Sequence, residues 1–276
     1  MLTDAQKRAR FAELHQGPGC FVMPNPWDIG STKYLASLGF KALATTSAGM
    51  AFAAGRPDNG VTRAYALGHI GELAAATDLP LNADYEAGFA AAPDDVYESA
   101  RLCIATGAAG FSIEDYTGDR QAPFFSPAEA VERLRAARAA INATGERVLL
   151  TARSEVIWAG HSGGFQEALR RLGAYAQAGA DVLFAPGLRK AEEVAEVVRL
   201  AGALPVNVVV GAPGFTVRQL EDLGVRRISV GAGLARAAWG GFMRAARDIA
   251  EHGRFDSFAD AAPAGELNGL FAPDPR

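Results

Sequence analysis

The chain has 276 residues, 49% of them hydrophobic, enough to bury a sizeable core within the length of one large α/β domain. Charged residues make up 21% and the formal net charge is −4, which lacks the basic balance a nucleic-acid partner calls for. No apolar run approaches the ~20 residues of a membrane span, so no membrane partner is expected either. The opening stretch, MLTDAQKRARFAELHQGPG (1–19), is polar and reads as a helix without the apolar core of a signal peptide; the expected location is the cytoplasm. One pattern then repeats along the chain. A short apolar run ends in polar or glycine residues, and a helical stretch follows. The strand candidates, in order, are CFVMP (20–24), KALATTS (41–47), LPLNADY (79–85), GFSIEDY (110–116), RVLLTARS (147–154), DVLFAPG (181–187), PVNVVVG (205–211) and RISVGAG (227–233). Helices between them are clearest at 62–76, 93–105, 127–143, 165–178, 190–200 and 216–223, rich in alanine and leucine. Two of them open on proline, tolerated in a first turn, and glycine follows others in "AQAGAD" and "EDLGVRR" as a C-cap.

Eight near-continuous apolar strands alternating with helices predict a parallel sheet covered on both faces, closed into a (β/α)8 TIM barrel. A doubly wound open sheet is the alternative; no Gly-rich dinucleotide fingerprint opens the first helix. The reading is one barrel domain over 1–276 with a helical extension from about Leu234. The tail after Gly253 carries isolated apolar anchors, Phe255, Phe258, Leu267, Leu270 and Phe271, expected to dock on a surface other than their own barrel. Cys20 and Cys103 show no metal-ligand spacing and read as reduced, buried thiols.

In such a barrel, chemistry sits at the carboxyl ends of the strands. The uncommon polar residues fall there repeatedly: Asn25, Trp27 and Asp28 after strand 1; Thr45, Thr46 and Ser47 after strand 2, with Asp58 in the following "GRPDNG"; Asp84 and Glu86 after strand 3; Glu114 and Asp115 after strand 4; Arg153 and Glu155 after strand 5; Asn207 within strand 7. Any one acid at a strand end is ordinarily a solvated turn residue or a helix cap, and Asp115 and Glu155 fit that description. The joint pattern is different. Asp58, Asp84, Glu86 and Glu114 come from three consecutive βα units, so a barrel gathers four carboxylates at one mouth. Four like charges in a concave site need a cation, and an all-oxygen set without a His or Cys cluster suits Mg²⁺, or Mn²⁺. Arg153 supplies the complementary charge for an anionic substrate, or else a structural ion pair. Ser47, Ala48 and Gly49 offer a hydroxyl and backbone N–H groups for a carboxylate, or else form an ordinary turn. Trp27, Tyr85, Phe89, Tyr116 and Trp158 are candidate pocket walls. His161, in "WAGHSGG", is either a proton donor or a solvated loop residue.

These motifs resemble the isocitrate lyase/phosphoenolpyruvate mutase superfamily over nearly the whole length. The resemblance rests on "NPWDIGSTKYLASLGFKALATTSAG", "GRPDNG", "LPLNADYEAGFA", "GFSIEDY", "LLTARSE", "GADVLFAPGL" and "GVRRISVGAGLARAA", in matching order. It implies a Mg²⁺-dependent enzyme that holds a 2-oxo acid or its enolate and makes or breaks an adjacent C–C or C–P bond. Asp84 matches the direct metal ligand. Asp58, Glu86 and Glu114 match ligands that act largely through water. Ser47, Ala48 and Gly49 match the loop that grips the substrate carboxylate, and Arg153 the substrate-binding arginine; Asp58, Glu114 and Arg153 are thus the expected catalytic set, with Trp27 and Asn207 as further substrate contacts. The resemblance also implies exchange of the last barrel helix between subunits, giving a homotetramer of swapped dimers.

One departure narrows the chemistry. Lyases of the superfamily carry Lys-x-Cys-Gly-His in the loop after strand 4, and phosphonate-forming mutases a Lys and an Asn. Here "EDYTGDRQAPFFSP" has no Cys, Lys or His, with Arg120 and Gln121 as the nearest polar residues. A 2-oxo acid lyase needing little acid–base help is therefore expected, of the oxaloacetate decarboxylase kind. Phosphonomutase or phosphonopyruvate hydrolase chemistry is the alternative, and a non-catalytic dicarboxylate-binding barrel is the alternative of another class. The loop at 117–126 is expected to be a lid with an apolar tip at Phe124-Phe125.

Overall fold

The computed structural model describes residues 1–272. Its centre is an eight-stranded parallel sheet: β1 (Phe21–Met23), β2 (Leu43–Ala44), β3 (Leu81–Asp84), β4 (Gly110–Glu114), β5 (Leu149–Arg153), β6 (Val182–Phe184), β7 (Val206–Val209) and β8 (Arg227–Ser229). The strands pair in the order β1-β8-β7-β6-β5-β4-β3-β2. Where β1 meets β2 the barrel closes through the Ala44 N–H donating to the Pro24 carbonyl at 3.1 Å. Asn25 secures that seam: its Nδ2 donates to the Thr45 carbonyl at 2.7 Å, and its Oδ1 accepts from the Val230 and Gly231 N–H groups of the β8 end. Asn25 is therefore a closure residue. The (β/α)8 barrel prevails over the open sheet.

The helices are α1 (Asp4–Gln16), α2 (Ile29–Ser37), α3 (Ser47–Ala53), α4 (Arg63–Ala75), α5 (Pro93–Ala105), α6 (Pro127–Thr144), α7 (Gly164–Gln177), α8 (Ala191–Ala201), α9 (Val217–Asp222), α10 (Gly233–His252) and α11 (Ala264–Phe271). Their starts are written in the sequence. Asp28, Thr62, Ser126 and Thr216 cap α2, α4, α6 and α9 by accepting from an N3 backbone N–H, while α5 and α6 carry proline in the first turn. Outward-facing strand residues such as Leu81, Phe111, Leu150 and Leu183 pack under this helical ring. Among the described residues no helix is long and apolar enough to cross a membrane.

The amino-terminal end of the barrel is plugged by α1. Phe11 and Ala12 pack with Met23, Ala42, Ala44, Ala109 and Leu149. Gly110 makes this possible, because a Cβ there would stand 2.8 Å from the Phe11 ring and 2.9 Å from the Leu149 carbonyl. Lys7 and Arg8 pin the plug by donating to the carbonyls of Ala74 (2.7 Å) and Ile104 (2.8 Å), near the carboxyl ends of α4 and α5, where cations are favoured.

Two expectations change. Cys103 is buried as expected, but Cys20 is only partly so. The tail does dock on this chain: α11 lies on α2, with the Phe271 ring beside Gly30.

Candidate active site

With α1 closing one end, the open end carries a cavity of about 500 Å³. Its lining includes Asn25, Ser47, Ala48, Asp58, Asp84, Arg153, Trp158, Asn207 and Arg227. The centre of the polar cluster is Asp84, last residue of β3. Its Oδ2 accepts from both the backbone N–H and the hydroxyl of Ser47, each at 2.9 Å; its Oδ1 accepts from Arg153 at 3.0 Å; its own N–H donates to Thr45 Oγ1 at 2.8 Å. Ser47 is the first residue of α3, and Thr46 caps that helix by accepting from Gly49. The Ser-Ala-Gly segment is thus a helix start rather than a loop.

Arg153, from the end of β5, meets three carboxylates: Asp84, Glu114 at 3.2 Å, and Glu155 through its Nε–H. Its ring-facing side lies over Phe184, 5.2 Å from the centroid. Burial by itself would lower the guanidinium pKa, but Glu155, Glu114 and Asp84 outweigh it and hold Arg153 firmly cationic. Burial raises the carboxyls of Glu114 and Glu155 above the ordinary range, with Arg153 pulling each back down.

Glu86 lies just beyond β3 with φ +48°, a left-handed conformation uncommon outside glycine. Arg133 of α6 holds this turn from behind, donating to the carbonyls of Ala87, Ala90 and Ala91. The Glu86 carbonyl accepts from the Glu114 N–H at 3.0 Å, tying the two acid-bearing strand ends together. The Glu86 Oε1 is buried without a hydrogen-bond partner. Burial, then Asp84 and Asp58, push its pKa up to about 8. Asp58 stands at the rim between α3 and α4; desolvation in the cleft and the charge of Asp84 raise its carboxyl as well.

Of the residues singled out from sequence, Asn25, Thr45, Thr46, Ser47, Ala48, Asp58, Asp84, Arg153, Trp158 and Asn207 line the cavity. Glu86 and Glu114 stand behind Asp84 and Arg153. Trp27 and Gly49 pack on each other and lie outside the lining: a Cβ at Gly49 would meet Thr46 Cγ2 at 2.5 Å and Trp27 Cβ at 3.1 Å. Asn207 is buried, donating to Ser229 Oγ at 3.0 Å and accepting from Arg227 at 2.8 Å. Among the candidate aromatic walls only Trp158 faces the cavity; Tyr85 points outward to Ser99 of α5.

Asp115 and Glu155 are not solvated turn residues. Asp115 is 1% exposed and accepts from Ser154, Arg171, Tyr175 and the Glu155 N–H. The segment after β4 also differs from expectation. Tyr116 and Phe124 form an antiparallel bridge, so the tip is the polar stretch 118–122, while Phe124 and Phe125 pack inward. The Arg133 guanidinium sits 3.8 Å over the Phe125 ring, and Phe124 meets the exposed His161 edge-on. His161 is not part of the cavity wall. Arg227 and His15 carry no sequence signal beyond an arginine opening an apolar strand.

The donor set fits a hard cation. It is all oxygen, and it holds one carboxylate ringed by three whose ionisation is disfavoured, one of them with an orphaned oxygen. Among the described residues no three acids, histidines or cysteines stand close enough to form a ready-made direct shell.

A parallel barrel with acids and an arginine gathered at its carboxyl-end mouth has the architecture of a (β/α)8 enzyme. The chain belongs to the phosphoenolpyruvate phosphomutase family, whose model matches residues 11–250, and so to the isocitrate lyase/phosphoenolpyruvate mutase superfamily of lyases and mutases. A solved structure from Burkholderia cenocepacia J2315, provisionally described as a lyase/mutase, is 46% identical and superposes with a TM-score of 0.94 over 98% of both chains. An uncharacterized protein of Mycobacterium tuberculosis is 32% identical over 83% of this chain and 86% of its own length. The oxaloacetate decarboxylase of Bradyrhizobium diazoefficiens is 26% identical over 96% of this chain and 89% of its own.

Proposed function

We propose that the protein is a divalent-metal-dependent carbon–carbon lyase acting on a 2-oxo acid bearing a second carboxylate, by cleavage of the oxaloacetate decarboxylase kind. One observation carries the reading. Among the described residues, the cavity wall contains no Cys, His or Lys; the indole of Trp158 aside, its polar side chains are carboxylates, arginines, amides and hydroxyls. Such a site can stabilise negative charge but offers little dedicated proton transfer. Decarboxylation next to a 2-oxo group suits it: the C–C bond breaks, CO₂ leaves, the electron pair moves onto the 2-oxo oxygen as an enolate, and water supplies the final proton. The similarity to an oxaloacetate decarboxylase supports the same class.

Asp84 would hold the cation directly, with Asp58, Glu86 and Glu114 acting through water. When bound, Mg²⁺ or Mn²⁺ supplies Lewis-acid stabilisation of oxygen-centred charge. The chain's own residues do the remainder. Arg153 is fixed by three carboxylates and needs no reorganisation to face charge developing on the substrate oxygen. Ser47 and Ala48 present the start of α3 to a substrate carboxylate. Trp158, on the cavity wall, stands where water is to be kept out. Two free cysteines suit a cytoplasmic setting, and assembly as a tetramer through α10 is part of the same proposal. The test is steady-state turnover of 2-oxo acids with added Mg²⁺ and after chelation. Turnover of none of them above the metal-only rate would favour a dicarboxylate-binding barrel instead.

A further inference from the structure

Below the acid cluster, the cavity ends on a second arginine. Arg227 opens β8, is 1% exposed and lines the cavity. Its guanidinium donates to Asn207 Oδ1 at 2.8 Å, Thr151 Oγ1 at 3.0 Å and His15 Nε2 at 3.3 Å. Five N–H donors less these three bonds leaves two. All three partners are neutral. Arg227 can only donate, so His15 Nε2 must accept, and the ring's other nitrogen, Nδ1, donates to the Phe11 carbonyl at 2.7 Å. Burial and the neighbouring arginine keep that ring unprotonated, its pKa lowered to about 3.

The contrast with other buried arginines is informative. Arg8 pairs with Glu146, Arg153 with three acids, and Arg171 with Asp115 and Glu167. Arg133 lacks an acid but donates to three carbonyls and does not border the cavity. Arg227 alone among these is a buried cation with no carboxylate, facing an open cavity. An uncompensated buried charge costs several kcal/mol, which an anion placed beside it would offset. Thr151, which accepts from Arg227, precedes Arg153 by two residues on β5, so that contact is made ~7 Å along the strand from where Arg153 departs, at ~3.3 Å per residue.

We propose that Arg227 forms the floor of the substrate pocket and anchors a carboxylate remote from the 2-oxo end, which sits one layer higher at Asp84 and Arg153. The inference rests on the 2-oxo acid reading of the upper site. The anchored carboxylate is one the reaction retains, because an arginine clamped on a leaving carboxylate would oppose its loss as neutral CO₂. The substrate class is therefore an oxaloacetate-type 2-oxo diacid extended by one further carboxylate.

Calorimetric binding in Mg²⁺ buffer tests this without turnover, using 2-oxoglutarate, 2-oxopentanoate (the same chain lacking the distal carboxylate) and oxalate as probes. Wild-type protein should bind 2-oxoglutarate about 10- to 150-fold more tightly than 2-oxopentanoate, the range of one charge-assisted hydrogen-bonded contact. Arg227→Met should erase that difference and leave oxalate affinity unchanged, and Arg227→Lys should restore part of it. Equal wild-type binding of the two longer acids overturns the anchor, and so does an Arg227→Met variant that loses oxalate and 2-oxoglutarate alike. Should Arg227→Met not fold, the wild-type pair alone decides. Failure of oxalate to bind wild-type protein would instead sink the reading of the upper site.

Discussion

At Asp84, Ser47 and Arg153 converge on one carboxylate while Thr45 holds the backbone N–H, and the residue's role follows from what those partners leave available. Asp84→Asn keeps the shape and removes the charge. Metal-dependent turnover should fall by at least ~100-fold while the far-ultraviolet circular dichroism spectrum stays native; full activity at low Mg²⁺ would mean that Asp84 is not the ligand. His15 gives a pH signature away from the active-site acids. Its native pKa of about 3 lies below the unfolded value of 6.5, so between these values the unfolded chain binds the extra proton. The stabilising contribution is fully present above pH ~6.5 and is lost as pH falls toward 3, at no more than about 1.4 kcal/mol per pH unit. Chemical denaturation across that window should show the difference between wild type and His15→Gln narrowing as pH falls; a constant difference would contradict the neutral, arginine-facing ring. The acids were legible because strand ends are where a barrel places chemistry. Arg227 and His15 were not, since a charged residue on a strand is recognisable as buried only once the plug of α1 is known.

At the scale of elements, the loop after β4 is organised by Asp115. It takes hydrogen bonds from β5's end and from α7, and its own carbonyl accepts from Phe125 at 3.0 Å, while Arg171 reaches the Phe125 carbonyl at 2.9 Å. Removing one partner of such a buried pair costs about 3–5 kcal/mol. Asp115→Ala should lose that much in a urea titration, and a loss below ~1 kcal/mol would make the network incidental. Sequence reading placed every strand, because β-branched and leucine runs between glycines admit few other structures, and it placed α5 residue for residue. It picked out neither α2 nor α3, whose nine and seven residues are too short for a visible period, and it put Phe124 and Phe125 at a loop tip. Apolar residues in a loop are equally readable as a mobile tip or as the side that packs inward. What decided here was the Arg133 and Arg171 contacts from distant helices.

For the whole molecule, α10 stands out. Of its twenty residues only Ala235 is buried, while Leu234, Trp239, Phe242 and Met243 are exposed on the surface. Exchange of this helix between subunits would cover that face. Sedimentation should give a tetramer, and Trp239→Asp with Phe242→Asp should shift it toward smaller species; a dilute, fully folded wild-type monomer would return α10 to its own barrel. The barrel itself brings Asp84, Glu86, Glu114 and Arg153 to one mouth while α1 closes the other, so that only one end can admit substrate. The most direct measurement of what that end does is steady-state release of CO₂ from a panel of 2-oxo di- and tricarboxylic acids by purified protein, with Mg²⁺ and after its removal by chelation. The account predicts metal-dependent release well above the rate with Mg²⁺ alone, abolished by the chelator and restored by the metal. Release no faster than Mg²⁺ alone, across the panel, would contradict it.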